Sequence, residues 1–202
     1  SAICATRNAG LPFTLVTPIL REETLSELQS LFKTLNSQLQ SGDEVVISDF
    51  GALQLVRELL PQVDVVLGRA LSGQKRGPRI ENLELSDDAR EYFRQGSWYS
   101  HEAFKLLREQ GIERVELDNL LQGLAPLPKQ LRGSLHSPYA MVTSSRNCPF
   151  HQDKSDQRCS VSCGEVFRLT TEQTAHPLYQ AGNSQFLKFE QLPDKLSEHG
   201  ID

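Results

Sequence analysis

Three cysteines fall within sixteen residues: Cys148, then Cys159 after ten intervening residues, then Cys163 after three more, while Cys4 stands alone near the start. Thiolates are soft donors, and iron–sulfur clusters and structural zinc are the centres they hold best. Three thiolates on one irregular loop can wrap the face of a cluster while backbone amides point at its sulfurs. A four-thiolate site then needs Cys4, the one cysteine left, and four thiolates suit a 4Fe–4S cluster. Zinc is the alternative. Tetrathiolate zinc sites usually come as two close pairs, and only Cys159 and Cys163 form one here, with His151 nearby as a nitrogen ligand. Disulfides or unrelated thiols are the third reading. Four cysteines are few for a secreted scaffold of 202 residues, and such clustering points to metal or catalysis first.

A second group of residues could move protons. In parallel α/β folds, ligands bind beyond the carboxyl ends of the strands, and Asp49, Arg69, Glu116 and His136 all follow or end strand-like runs. An acid pair, a guanidinium and an imidazole facing one mouth can bind a small polar or aromatic substrate and exchange protons with it. Each has a plainer reading. Asp49 can cap the helix beginning near Phe50, Arg69 and Glu116 can pair with each other, and His136 before Ser137-Pro138 can be a turn residue. Trp98, Tyr99 and Tyr139 can stack on a planar substrate or simply pack. Lys75, Arg76 and Arg79, in GQKRGPR, can meet a phosphate or carboxylate or stay solvated. His101, His176 and His199 suggest no role.

The elements that must position these groups alternate. Phe13–Thr17 is strand-like, and from Glu22 the residues Leu25, Leu28, Leu31, Phe32, Leu35 and Leu39 recur at helical spacing until Gly42. Val45–Ser48 reads as a buried strand, Leu53, Val56, Leu59 and Leu60 as a helix, and Val63–Gly68 as another apolar strand. After a polar excursion over 73–97, Ser100 caps a helix ended by Gly111, Ile112–Leu117 is a strand, and Asp118 caps a short turn through Leu121. Gly133–Thr143 is a strand or extended loop leading into the cysteines. Val166–Leu169 and Gln185–Phe189 suggest a hairpin about Gly182 and Asn183, and Leu196–Asp202 resembles the end of a helix whose next strand is missing.

Apolar strands between amphipathic helices indicate a helix-covered parallel sheet. The expected fold is α/β, a partial or truncated TIM-like barrel with a C-terminal cysteine-rich β segment. About five or six strand–helix units fall short of a full eight-fold barrel, so the barrel is partial or the chain a piece of a longer protein. Residues 1–145 form the barrel-like region and 146–202 the cluster-binding segment of the same domain. The apolar fraction of 38%, the charged fraction of 23% and the net charge of −5 describe a globular protein without a broad nucleic-acid footprint. No run approaches the roughly 20 apolar residues of a membrane span, and the start lacks signal-peptide character; a cytoplasmic location is expected.

The stretch SSRNCPFHQDKSDQRCSVSCGEVFRL (144–169) resembles the cysteine region of the collagenase-like (U32) peptidase family. It is most similar to the small members that assist oxygen-independent ubiquinone biosynthesis. A lone upstream cysteine, an arginine–cysteine step (Arg146 and Cys148, here separated by Asn147), a spacer and a C-x-x-x-C pair carry the likeness. SDFGAL (Ser48–Leu53), VLGRAL (Val66–Leu71), VELDNLL (Val115–Leu121) and His136–Pro138 extend it over most of the chain. The resemblance implies a barrel-like fold and a 4Fe–4S cluster, with Cys4, in its AICATR context, as the upstream ligand. It further implies an oxygen-independent hydroxylation or related redox step on an organic ring or RNA base, and a homologous partner chain. A peptidase and a non-catalytic partner with a structural metal are the alternatives. No G-x-S-x-G or H-E-x-x-H motif supports proteolysis.

Overall fold

The structure, a computed structural model, describes residues 2–145, 148, 150 and 163–202. Five strands form one parallel sheet in chain order: β1 (Thr14–Val16), β2 (Glu44–Ile47), β3 (Asp64–Leu67), β4 (Arg114–Asp118) and β5 (Arg132–His136). Each strand adds beside the last in one direction, unlike doubly wound sheets, whose order reverses at a switch point. The helices between them are α2 (Glu22–Leu35), α3 (Phe50–Leu59), α4 (Asp87–Arg94) and α5 (His101–Glu109), preceded by α1 (Ala2–Asn8).

Side-chain alternation explains which face each strand buries. Val45, Ile47, Val65, Leu67, Val115 and Leu117 share a cluster with Leu28 and Phe32 of α2, Ala52, Leu53, Leu55 and Val56 of α3, and Leu107 of α5. Trp98 joins that core, and the Tyr99 hydroxyl donates to the Pro126 carbonyl. Both aromatics therefore pack rather than await a substrate. On the opposite face Val46 and Val66 are buried, and β4 presents Arg114, Glu116 and Asp118.

The sequence expectation of one strand or loop over Gly133–Thr143 is corrected. The segment turns at a cis Ser137–Pro138 peptide and divides into β5 and β6 (Tyr139–Ser144), which belong to different sheets. β6 joins β7 (Phe167–Thr171), β8 (Thr174–Ala181) and β9 (Ser184–Lys188) in an antiparallel sheet ordered β6-β9-β8-β7. The turn at Gly182 and Asn183 does close a hairpin, but it joins β9 to β8 rather than to the Val166–Leu169 run, which lies in β7 on the far side of β8. The polar excursion over 73–97 holds α4 and a 3-10 turn at Pro78–Asn82. That turn meets the second sheet: Asn82 donates to the Gln173 carbonyl, Arg79 to the Gln173 side chain, and His176 lies 2.9 Å from Glu81. Leu196–His199 is a 3-10 turn, after which Ile201 bridges Gly133 in parallel along β5.

Candidate functional site

β4 supplies the centre of the site. Its sequence RVELD alternates charged and apolar residues, so Val115 and Leu117 enter the core while Glu116 and Asp118 share the other face. Asp118 ends the strand, paired in register with His136 at the end of β5. It is not the cap of a short helical turn, as its sequence context suggested. Its backbone is held on both sides by the Gln74 side chain, which accepts from the Asp118 amide (2.8 Å) and donates to its carbonyl (3.1 Å).

The Asp118 carboxylate is fully buried. Oδ1 accepts from Arg69 Nη1 (2.9 Å) and from the Met141 amide of β6 (3.0 Å), and Oδ2 accepts from Arg76 Nε. Arg76 also donates to the Arg69 carbonyl and to Ser72 Oγ. One carboxylate thus joins the loop after β3, the end of β4 and the start of the second sheet. A buried charge needs this degree of pairing to be tolerated.

Glu116 and His136 form the neighbouring pair, with Nε2 of His136 3.1 Å from Glu116 Oε1. The other oxygen, Oε2, accepts from the Arg69 amide at 3.2 Å. Burial pushes the Glu116 carboxyl up, but the contact and charge of His136, with the Arg69 amide and guanidinium, outweigh it and hold the group below its ordinary range. Glu116 is accordingly an ionised acceptor at neutral pH. It can orient the imidazole, as a carboxylate does when it fixes a proton-transferring histidine. His136 is the more exposed partner, 37% against 15%, so the imidazole is the member that can meet a substrate.

Of the four residues expected at the mouth, three come together here. Arg69 and Glu116 meet differently from the simple ion pair considered above: the Arg69 backbone binds Glu116 and its side chain binds Asp118. Asp49 stands apart. Its Oδ1 accepts from the Ala52 amide (2.9 Å), capping α3, and its Oδ2 from the Leu20 amide (2.5 Å). Among the described residues no hydrogen bond or ion pair links Asp49 to Glu116 or His136. We assign it the capping role, and Asp49→Ala is expected to cost about 1–2 kcal/mol, measured by urea denaturation, with the chemistry at the mouth intact.

The basic loop also has intramolecular tasks. Arg76 is committed to Asp118, Arg79 to Gln173, and Lys75 donates to the Gln95 carbonyl (3.2 Å) while lying 4.1 Å above the Tyr92 ring. Of the readings the sequence left open, a phosphate, a carboxylate or a solvated loop, Arg76 takes a carboxylate, and it is an internal one. At the mouth two guanidiniums, Arg69 and Arg76, face two carboxylates, Glu116 and Asp118. Such balance suits an uncharged ligand better than a polyanion. Tyr139 (45% exposed) stacks edge-on with Tyr179, and Phe186 lies under the Arg69 guanidinium, 5.8 Å from its ring centre. The second sheet therefore lines the mouth with aromatic rings.

The cysteines divide by location. Cys163 Sγ approaches Gly182 in the β8–β9 turn, 3.6 Å from where a side chain there would begin. Ser145, three residues before Cys148, donates from its amide to Asn183 of the same turn. Cys148 is thus within about 10 Å of chain from that turn. Cys159 and His151 lie outside the described residues. Cys4 sits on α1, whose Arg7 binds Asp43 just before β2, whereas the second sheet attaches at the opposite, carboxyl end of β4. Among the described residues no three His, Cys, Asp or Glu side chains gather as metal ligands, and none of the helices is long and apolar enough to cross a membrane.

Asp118, Gln74 and the Arg76 contact were not identified as site features from the sequence. The alternation in RVELD carried the signal for Asp118; nothing local marks Gln74. Comparison with family models, with curated proteins and with solved structures finds no match to this chain.

Proposed function

We propose that the chain is an iron–sulfur protein of the U32 type that supports an oxygen-independent hydroxylation or related redox step on an uncharged ring-containing substrate, in the cytoplasm. The observation that carries this reading is that one sheet serves both features: Cys163 lies against its β8–β9 turn, and the start of β6 is bonded to Asp118 and Arg69 beside the Glu116–His136 pair. The singly wound order of the parallel strands supports a partial barrel, whose ligands bind at the carboxyl ends of the strands.

The thiols of the loop are the donor type that a cluster takes. Cys163 approaches the β8–β9 turn, Cys148 follows Ser145, which is bonded to the same turn, and Cys159 falls between them in sequence. Cys4, at the amino end of the strands, is the member of the expected four that the geometry does not favour, so the fourth ligand is open to another group. When bound, a 4Fe–4S cluster would supply single electrons. The chain's own residues would do the rest: Glu116 orients His136, His136 takes or gives a proton at the substrate, and Tyr139, Tyr179 and Phe186 hold an apolar face. A homologous partner chain and an electron donor belong to the same proposal. The charge balance at the mouth disfavours an RNA substrate, and the absence of a hydrolytic motif disfavours the peptidase alternative.

Anaerobic purification followed by iron, zinc and sulfide analysis tests the reading. About four irons and four sulfides per chain are expected with four-iron ligation, falling to background in Cys159→Ala. One zinc and no sulfide would make the loop a structural clasp and remove the redox function.

A further inference from the structure

The second sheet and the Glu116–His136 pair are joined through two residues. Asp118 Oδ1 accepts the Met141 amide of β6 and the Arg69 guanidinium at 3.0 and 2.9 Å. Arg69 in turn gives its own amide to Glu116 Oε2 and reaches the Tyr139 carbonyl and the Phe186 ring of the second sheet. Glu116 completes the chain at His136. No other ion pair or side-chain hydrogen bond among the described residues connects β6–β9 to Glu116. The other polar link of that sheet to the loop after β3 runs through Gln173 and His176 to Arg79, Asn82 and Glu81, on β8 and the β7–β8 turn rather than at the mouth.

We propose that Asp118 is a positioning residue that couples the seating of the antiparallel sheet to the geometry of the Glu116–His136 pair, with Arg69 as the shared element. The functional importance of the coupling rests on the reading of that pair as the proton-handling group; the coupling itself does not. Because Arg69 Nη1 bonds both Asp118 Oδ1 and the Tyr139 carbonyl of β6, a tilt of β6 away from Asp118 draws on Arg69 directly, and displacing Arg69 loosens the amide that fixes Glu116. Coupling of this kind is reciprocal: whatever rigidifies the thiol-bearing sheet also tightens the pair, and a ligand on the pair tightens the sheet.

The test compares variants of the full chain at one fixed pH by amide hydrogen exchange and by the imidazole signals of His136. In Asp118→Asn the shape is kept and the charge removed. Exchange at both Met141 and Arg69 is expected to rise about tenfold, the scale of losing a charge-assisted hydrogen bond, and the His136 signals to move in the direction seen in Glu116→Gln. Gln173→Ala loosens the remote link and should speed exchange in β7 and β8 while leaving His136 in place. Unchanged His136 signals and unchanged Arg69 exchange in Asp118→Asn would overturn the proposal. So would a Gln173→Ala variant that moves His136 as far, since any loosening of the sheet would then suffice. If Asp118→Asn does not fold, Arg69→Gln takes its place with the same expected shift, and wild-type His136 signals in that variant overturn the coupling. Metal analysis is a separate readout, so loss of the iron–sulfur reading would leave this result standing.

Discussion

Replacing Asp118 with alanine is expected to destabilise the protein by about 3 kcal/mol, the scale on which removing one partner of a buried ion pair leaves the other uncompensated. Arg76 is 10% exposed and Arg69 23%, so neither guanidinium can rehydrate without leaving its place. The Met141 amide loses its acceptor as well. For a chain of this length the loss corresponds to a fall in Tm of about 6–12 °C, readable by calorimetry. Asp118→Asn should cost less than alanine, because the amide fills the same space, but it still leaves both guanidiniums without a counter-charge. A double variant in which Arg76 is also removed should be less unstable than the sum of the two single losses, since the second change deletes a charge the first one orphaned. Additive losses would show that Arg76 does not depend on Asp118.

The parallel sheet was legible because its signals are local. Val45–Ser48 and Val63–Gly68 are apolar on both faces, as strands buried on both sides must be, and the observed β2 and β3 differ from them by a residue or so at each end. Helix ends were marked by Asp49, Ser100 and Gly111, all of which act as read: two as caps and one, at φ +59°, as a left-handed terminator. What failed had nonlocal causes. α1 buries no residue fully; Ile3 packs against the edge of the core and Arg7 reaches Asp43, thirty-six residues away, so periodicity could not reveal it. β5 and β6 read as one extended run, since nothing in GSLHSPYAMVT states that its halves pair with different partners. The site followed the same rule. Glu116 and His136 were found from strand ends, but Asp118 resembled a helix cap and became a buried node only through Arg76 and Met141, contributed by the loop after β3 and by another sheet.

Acid should release α1 from the sheet before the rest of the fold is affected. Asp43 is 1% exposed; it accepts from Arg7 Nη1 (2.8 Å), and its carboxylate also takes the Phe13 and Gln40 amides at 2.9 Å. The Arg7 contact above all, opposed by burial and aided by the two amides, lowers the Asp43 carboxyl from 3.8 to about 2. A carboxylate depressed in the folded state adds stability above its unfolded value, and that stability is lost as the pH falls through the folded one. Near neutrality the contribution is on the order of 2 kcal/mol, constant above about pH 5 and fading between pH 4 and 2. Asp43→Asn should lower stability at pH 7 by a similar amount and flatten that part of the pH profile. Arg7→Ala should cost less, because the two backbone donors remain, and should shift the acid limb toward pH 4. Urea denaturation from pH 7 down to pH 2 separates the cases. An unchanged acid limb in Asp43→Asn would mean that other carboxylates, such as Asp202 beside Arg114, which is likewise held below its ordinary range, carry the acid sensitivity instead.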